Sequence, residues 1–278
     1  MTKKLNIRTV SVILAVGLLT LITNNASADL VTGWGAEVGF AAGTVTEGVP
    51  GSFSVTPTGN IGERADLASP VSLGNVGDVA QLSGTATITG LFGNQQWRFG
   101  LFNTNGNNGG TLSGGAWTGA TASGWLGYLV EVGNANGSGT TGLYGRNGTG
   151  ANAWLSTSGA AYAVNNSQLS TGAYTAGPGT FSFDLTLTRL SANSVGIYYS
   201  FIQTGGTGNL SVIGNYVDTG NLSSGISSIN AVGFYTPGAA LATSFTGVDV
   251  SVPEPSTVAL ASLGFAGLMA IRARRRQV

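Results

Sequence analysis

Acidic side chains are the first candidates for chemistry in this chain, because it contains neither histidine nor cysteine. A glycoside hydrolase needs two carboxyl groups, which in retaining enzymes lie about 5–5.5 Å apart. Residues two apart on a strand share a face, so such a pair predicts a spacing like Glu-x-Asp. Glu131, Asp184 and Asp249 each stand alone in an apolar run. The sequence therefore predicts no catalytic residue and no enzyme.

The closest pair of acidic residues is Glu63 with Asp66, on either side of Arg64 in the segment GERADL. We interpret this segment as a solvated ion cluster in a surface loop, since charged side chains are mostly exposed. Carboxylates from distant strands could still meet in the fold, and the spacing alone does not decide that. A divergent glycoside hydrolase is therefore kept as the third hypothesis for the function.

Residue types exclude several other kinds of site. Without His or Cys, neither a Ser-His-Asp triad nor a His/Cys metal site can form, and no cofactor is expected. The segment Asp218–Asn221 falls short of a calcium-binding loop, so no metal is predicted. All eleven acidic residues lie between Asp29 and Glu254, where the basic residues are four arginines and no lysine. Such an acidic body is a poor binder of nucleic acid.

Tryptophan side chains could provide a glycan-binding surface, because the apolar faces of sugars pack on aromatic rings. Trp117 follows a Gly-rich stretch and Trp154 follows two asparagines, so these two are the candidate glycan-binding residues. Trp97 and Trp125 fit the alternation of strands and are predicted to lie in the core. For Trp117, a buried and an exposed position agree equally well with the sequence.

Strands must position these residues. Glycine accounts for 46 residues and charged residues for 8 %, while aromatic and β-branched residues recur at every second position, which indicates an all-β fold. The clearest strand is Thr180–Leu190, and the alternating run that follows it predicts a hairpin. Breaks in the alternation predict bulges near Gly127 and Gly247. Polar composition predicts loops at Asn103–Gly115 and Gly133–Gly142.

The number and length of these runs set the architecture. About ten to fourteen short strands between turn segments predict a two-sheet jelly-roll sandwich spanning residues 29–251. No amphipathic helix is expected in this body. A closed barrel or a β-helix is the alternative, and the lack of a short internal repeat argues against the β-helix.

The N-terminal segment, residues 1–28, has the three parts of a secretory signal peptide. A basic region precedes an apolar run that is short for a membrane span of about 20 residues. Ala26-Ser27-Ala28 then provides an A-x-A site, which predicts cleavage before Asp29 by signal peptidase. An uncleaved N-terminal anchor is the alternative.

The C-terminal segment, residues 252–278, combines a Pro-Glu-Pro, an apolar run and a basic end. The run Val258–Ile271 predicts a short transmembrane helix, at 1.5 Å per residue, for a bilayer about 30 Å thick. The arginines favour the cytoplasmic side. We expect a sorting segment that is cut off, with a lasting tail anchor as the alternative. The residues assigned to it are Pro253, Glu254, Pro255, Arg272, Arg274, Arg275 and Arg276.

This order of features resembles the PEP-CTERM sorting signal of exported proteins from Gram-negative bacteria. The resemblance implies processing by an exosortase-like membrane enzyme. It also implies a precursor held transiently in the inner membrane. The final location would be the cell surface or extracellular matrix, in association with exopolysaccharide.

The body is similar to the concanavalin A-like lectin/glucanase superfamily. The stretches that carry this likeness are Trp97–Asn103, Gly124–Tyr128, Val232–Phe234 and Ser244–Val250. The similarity implies a two-sheet jelly roll. The two resemblances, together with the missing cluster of catalytic carboxylates, predict an exported, non-enzymatic surface or matrix protein, and a lectin-like carbohydrate-binding protein is the alternative.

Overall fold

A computed structural model provides the structure of the part of the chain that lies between the two terminal segments. Ala28–Val252 forms one compact unit. Some predicted features lie outside the described residues. They are the signal peptide up to Ser27, the sorting segment from Pro253 with its transmembrane helix, and Trp154. The structure describes residues 28–90, 96–106, 111–118, 124–132, 142–147, 177–220, 225–238 and 242–252.

Strands dominate the described residues, which confirms the all-β prediction. Within these ranges no helix is both long and apolar enough to cross a membrane. The strands are β1 (Ala28–Leu30), β2 (Gly35–Glu47), β3 (Phe53–Ser72), β4 (Val79–Ile88), β5 (Trp97–Asn103), β6 (Thr111–Ser113), β7 (Ala116–Thr118), β8 (Leu126–Val132), β9 (Gly142–Asn147), β10 (Gly179–Ser191), β11 (Ser194–Gly206), β12 (Ser211–Asp218), β13 (Ser228–Thr236) and β14 (Thr243–Ser251).

Hydrogen bonds join these strands into one sheet with the order β12-β11-β10-β4-β14-β3-β13-β5-β8-β9. β1 pairs with β14, β2 pairs with β3, and the short β6 and β7 attach beside β2. All these pairings are antiparallel except a single contact between Ala36 of β2 and Ala116 of β7. Strands distant in sequence are therefore neighbours in the sheet, as in sheets with long crossover connections.

The sheet folds back on itself. Four strands separate β10 from β5 in the strand order, yet the Phe183 ring of β10 lies 5.7 Å from the Phe99 ring of β5. We call β12, β11, β10, β4 and β14 the β12 half, and β13, β5, β8 and β9 the β9 half. The long strand β3 connects them, pairing with β14 near Val55 and with β13 from Ile61 onward.

Aromatic side chains fill the space between the two halves. Phe245 of β14 stacks on Phe53 of β3 at 4.2 Å between ring centroids, and it also lies 5.6 Å from Trp97 of β5. Phe183 meets Phe234 of β13 edge to face at 5.3 Å. Each fully buried aromatic side chain contributes roughly 1.5–3 kcal/mol by leaving water. This cluster thus holds the halves together.

Three sequence predictions about the strands are confirmed. Thr180–Leu190 lies within β10, where Phe181, Phe183, Leu185 and Leu187 are buried while the residues between them are half-buried. β10 and β11 form the predicted hairpin, closed by a turn at Ala192 and Asn193. The register of β14 on β4 shifts between Thr246 and Asp249, as expected of a bulge at Gly247, which has φ +61°.

The predicted bulge near Gly127 is wrong. β8 pairs with β5 in an unbroken register through this position. The alternation breaks because both faces of β8 are buried, so Trp125 and Leu129 are apolar on the face opposite Tyr128. A side chain at Gly127 would place Cβ 2.4 Å from the Leu101 carbonyl oxygen, and this close approach explains the glycine.

The predicted loop at Asn103–Gly115 is only partly correct. Its last residues form β6, which pairs with β7, and Asn103 itself ends β5 and is buried. Residues 107–110 lie outside the described part of the chain, as do residues 133–141 of the second predicted loop. Short polar strands of this kind are hard to separate from loops, because composition is the same in both.

Candidate functional site

Charged side chains converge on the outer face of the β9 half and of the adjoining strand β3, the face turned away from the aromatic core. We count β3 from Ile61 onward, with β2 and β7 beside it, as part of this face. The interpretation of Glu63, Arg64 and Asp66 as a solvated surface cluster is wrong. The three residues lie within β3, where Glu63 and Arg64 are fully buried and Asp66 is 26 % exposed. Alternation places Arg64 and Asp66 on the outer face and Glu63 on the opposite one.

Arg64 is the centre of the first group of contacts. Its Nε and Nη2 each donate to Asp66 at 2.9 Å, and its Nη1 lies 3.7 Å from a carboxylate oxygen of Glu37. The guanidinium also lies over the rings of Trp117 at 4.2 Å and Trp125 at 4.6 Å. Burial raises the pKa of Asp66, and the Arg64 charge opposes that shift. The group is a buried ion and cation–π cluster.

Trp117, one of the two predicted glycan-binding residues, belongs to this cluster. It is 8 % exposed, and its indole Nε1 donates to the Arg64 carbonyl at 3.0 Å. The Arg64 guanidinium lies over one face of its ring, and the described contacts of Trp117 are therefore with the protein itself. The other candidate, Trp154, lies outside the described residues.

Arg98 and Glu131 form the second group on the same face. They are cross-strand neighbours on β5 and β8, and Arg98 Nε donates to Glu131 Oε2 at 2.8 Å. The Tyr144 hydroxyl donates to Glu131 Oε1 at 3.3 Å. The Arg98 guanidinium also lies 4.6 Å from the Tyr235 ring and donates to Gln96 at 2.8 Å. Glu131 is thus satisfied by neighbours from two strands.

The two groups show that carboxylates from distant strands pair with arginines, which the sequence did not reveal. Glu37, Asp66 and Glu131 come from three strands, and each faces an arginine rather than another carboxylate. Nowhere in the described ranges do three acidic side chains assemble into a metal-binding group. Both groups therefore place each of these carboxylates beside a positive charge.

Glu63 occupies a different environment. It is opposite Phe234 in the β3–β13 register and therefore faces the apolar core. Neither of its carboxyl oxygens has a hydrogen-bond partner. Burial raises the pKa of Glu63 to about 8, and the neighbouring Thr236 hydroxyl opposes this shift only in part. Ile61, Glu63 and Ala65 share one face, so strand alternation was the signal that placed Glu63 inside.

Asp218, in the segment considered for calcium, is also engaged within the protein. The Tyr128 hydroxyl donates to its Oδ2 at 2.7 Å, and the Gly220 amide donates to its Oδ1 at 2.8 Å. Burial, followed by the Asp218 hydrogen bond, raises the pKa of Tyr128. The carboxylate therefore links the turn after β12 to the core.

The outer face of the β12 half is exposed and rich in hydroxyl groups. Asp184 of β10 accepts hydrogen bonds from Gln81 and from Thr186, and Asp249 of β14 accepts from Ser83 at 2.8 Å. Both aspartates are only half-buried. This face therefore presents small polar groups to solvent, without a basic side chain among the strand residues that point outward.

The two ends of the body lie side by side. β1 pairs with the end of β14, so that Ala28 is opposite Ser251 and Leu30 is opposite Asp249. The predicted cleavage site before Asp29 and the start of the predicted sorting segment at Val252 are therefore close at one edge of the sheet. A side-by-side arrangement of termini is common in compact domains.

A sequence motif with a known family model begins at the C-terminal end of β14. Residues 251–276 match the family model of the PEP-CTERM protein-sorting motif. This chain carries a PEP-CTERM sorting motif. The resemblance stated from the sequence is thereby confirmed. The motif indicates an exported protein that is processed at a membrane by an exosortase.

Solved structures provide a second comparison. The chain is similar to the carbohydrate recognition domain of Emp46p in its potassium-bound form, with 14 % identity over 78 % of this chain and 87 % of that chain and a TM-score of 0.43. The legume lectin-like domain from Entamoeba histolytica has 10 % identity over 78 % of this chain and 87 % of that chain, with a TM-score of 0.38. The T. cruzi calreticulin globular domain has 9 % identity over 91 % of this chain and 100 % of that chain, with a TM-score of 0.40. No curated protein matches the chain.

Proposed function

We propose that this protein is an exported, non-enzymatic component of the cell surface or extracellular matrix of a Gram-negative bacterium. The observation that carries the proposal is the PEP-CTERM motif at 251–276, which begins at the last residue of β14. Its body is a jelly-roll sandwich of the concanavalin A-like type. This extends the observed fold, in which two halves of one antiparallel sheet pack face to face.

Two processing steps release the body. Signal peptidase cuts before Asp29, and the short helix Val258–Ile271 holds the precursor in the inner membrane. An exosortase-like enzyme then cuts near Pro253-Glu254-Pro255. The pairing of Ala28 with Ser251 supports a shared location for the two cuts, because both fall at the same edge of the body. A folded body is thus connected to the membrane at one place.

The absence of catalysis is supported by the contacts of the acidic side chains. Glu131 is held by Arg98, Asp66 by Arg64, and Asp218 by Tyr128. A catalytic carboxyl group must reach a substrate, whereas these groups are satisfied inside the protein. A carboxylate with two protein partners instead stabilises the arrangement of the strands that carry it.

The partner of the released body is proposed to be exopolysaccharide. The body is acidic and has no lysine, and its exposed outer face carries hydroxyl and amide groups. Such a surface suits a neutral polymer, since an anionic one would be repelled. Co-sedimentation with the polymer of the producing strain is expected, and a body that stays in the supernatant would contradict this partner.

Mass spectrometry of the exported protein tests the sorting proposal. We expect the mature chain to begin at Asp29 and to end near Pro253-Glu254-Pro255. The variant Glu254→Ala is expected to accumulate as a membrane-bound form that still extends to Val278, whereas the matched control Ser256→Ala is processed normally. Released wild-type protein ending at Val278 would disprove exosortase processing.

Carbohydrate binding in the manner of a lectin is the second candidate, and one observation favours it. Tyr198 of β11 is 38 % exposed on the hydroxyl-rich face, opposite Asn215 on one side and Thr186 on the other. An aromatic ring beside amide and hydroxyl groups is a common sugar-binding arrangement. On a glycan array we expect binding that Tyr198→Ala abolishes and Tyr198→Phe largely keeps. Equal signals from the two variants would exclude this site.

A further inference from the structure

The end of β14 is paired on both sides. Its last three residues, 249–251, pair with residues 81–83 of β4 on one side and with residues 28–30 of β1 on the other. Because the bonds of an antiparallel ladder run to both neighbours of a central strand, the backbone of this segment is already engaged. The sorting motif begins at Ser251, the last residue of this strand.

An enzyme that cuts near the Pro-Glu-Pro needs this segment of backbone. Enzymes that cut peptide chains commonly bind them as an extended strand, through hydrogen bonds to an edge of the enzyme. The two prolines, Pro253 and Pro255, have no backbone amide to donate. The nearest preceding amides are those of Val252 and Ser251, and Ser251 is already paired with Ala28 and Gln81.

β1 is more easily detached than β4. It has three residues, whereas β4 has ten and is also paired with β10 along its other edge. The Leu30 side chain is already 50 % exposed, so its release adds little apolar surface to water. Detaching β4 would instead expose Leu82, which is fully buried in the core.

A fixed point lies immediately after β1. The Val31 side chain is buried, its amide donates to the Val248 carbonyl at 3.1 Å, and its carbonyl accepts from the Gly51 amide at 3.0 Å. Trp34, three residues further on, stacks on Phe53 at 4.0 Å between ring centroids. β1 is therefore able to swing away from β14 while the chain from Val31 onward stays in place.

We propose that β1 is a displaceable strand, which leaves the end of β14 so that the sorting enzyme binds residues 249–251 in its place. This inference rests on the proposed processing of the motif and adds a step that precedes the cut. The rate of cutting then follows the fraction of chains in which β1 is detached, because the enzyme binds that form of the body.

A disulfide bond between β1 and β14 tests this step, because the natural chain has no cysteine. Leu30 and Asp249 are directly opposite each other, and opposed Cα atoms of antiparallel strands lie about 4.5–5.5 Å apart, within the range of a disulfide. We expect the exported full chain with Leu30→Cys and Asp249→Cys to stay membrane-bound and to extend to Val278 by mass spectrometry. A reducing agent should restore its processing.

The matched control carries Thr87→Cys with Ser244→Cys, an exposed opposed pair that joins β14 to β4 and does not involve β1. We expect this chain to be processed like the natural one. Such a result would show that locking β1 is what blocks the cut, since a disulfide elsewhere on β14 does not.

A second pair of variants tests the opposite direction. Leu30→Asp places a carboxylate opposite Asp249 and weakens the pairing of β1, so we expect processing about threefold faster. Val49→Asp adds the same charge at an exposed turn residue and should leave the rate unchanged. The same mass spectra check that every variant still begins at Asp29.

Each outcome decides the proposal. A locked chain that is cut as fast as the control, or equal rates for Leu30→Asp and Val49→Asp, would overturn the displaceable strand. Free thiols in the Leu30→Cys and Asp249→Cys chain would also overturn it, because β1 would then not pair with β14 before the cut. Natural chain released with Val278 still attached would refute the sorting proposal itself, and this inference with it.

Discussion

The outer faces of the two halves of the sheet differ in how they use polar side chains. On the β9 half, arginines and carboxylates from separate strands are buried and pair with one another and with aromatic rings. On the β12 half, aspartates are half-buried and bind short hydroxyl and amide side chains. The first face excludes water from charged groups, whereas the second leaves them hydrated.

This difference determines what each face can do. A buried ion is costly unless all its partners are present, so the outer face of the β9 half depends on complete contacts and tolerates little change. Solvent on the exposed face replaces a lost partner at low cost. The buried face therefore depends on its internal contacts, and the exposed face is the one on which the proposed contact with polysaccharide lies.

Replacing Arg64 should have the largest effect. The variant Arg64→Met removes the cation that faces Glu37 and Asp66 and leaves the Trp117 and Trp125 rings without it. Breaking a buried ion pair from one side costs about 3–5 kcal/mol. We expect this loss in the free energy of unfolding, measured by urea denaturation of the full chain in mild detergent.

The matched control for Arg64→Met is Gln81→Met, which removes a polar partner of Asp184 on the exposed face. Water can hydrate Asp184, so the expected loss is below about 1 kcal/mol. Similar losses for the two variants would mean that the two faces do not differ in the proposed way.

Glu63 should make the stability depend on pH. Burial raises its pKa to about 8 from the ordinary value of 4.5, so between these values the folded protein binds more protons than the unfolded chain. Stability is therefore full below pH 4.5, decreases by up to about 1.4 kcal/mol per pH unit above it, and levels off above pH 8.

The variant Glu63→Gln tests this pH dependence. We expect the urea midpoint of the variant to vary much less between pH 5 and pH 8 and to exceed that of the natural protein at pH 8. The control Glu47→Gln alters an exposed carboxylate and should keep the natural pH profile. A natural profile that is flat over this interval would contradict an uncharged Glu63 in the core.

Strand alternation predicted much of the fold because β10 and β11 have one face buried in the core and the other accessible to solvent. In β10, apolar and polar residues alternate without exception from Phe181 to Thr188, and the prediction there was correct. In β5, every residue from Trp97 to Asn103 is buried. Burial on both faces removes the alternation, and this is also why a bulge was wrongly assigned at Gly127.

The buried charges could not be predicted because their partners are distant in the sequence. Arg98 and Glu131 are 33 residues apart and become neighbours only through the pairing of β5 with β8. Glu63 could have been found, since it follows the alternation of Ile61 and Ala65. Its charge nevertheless predicted an exposed position, because charged side chains are mostly exposed.

Replacing one glycine on each face by alanine also compares the two faces, and we expect a loss of stability of intermediate size. In Gly127→Ala, on the buried face, Cβ would lie 2.4 Å from the Leu101 carbonyl oxygen, and backbone cannot move aside cheaply. We expect a loss of about 1–3 kcal/mol. In Gly196→Ala, on the exposed face, the nearest atom belongs to the flexible Leu190 side chain at 3.1 Å. The expected loss is below about 0.5 kcal/mol, and urea denaturation of the two variants should give clearly separate midpoints.

The smallest effect is expected at Asp249, which accepts one hydrogen bond from Ser83 on the exposed face. In Asp249→Asn the amide oxygen can still accept this bond, and water can solvate the rest of the group. We therefore expect a change below about 0.5 kcal/mol in the free energy of unfolding. The corresponding change on the buried face, Glu131→Gln, removes the charge that faces Arg98 and should cost several times more. If both substitutions proved equally mild, the ion pairs of the buried face would not be what stabilises it, and packing of its aromatic rings would have to explain its stability instead.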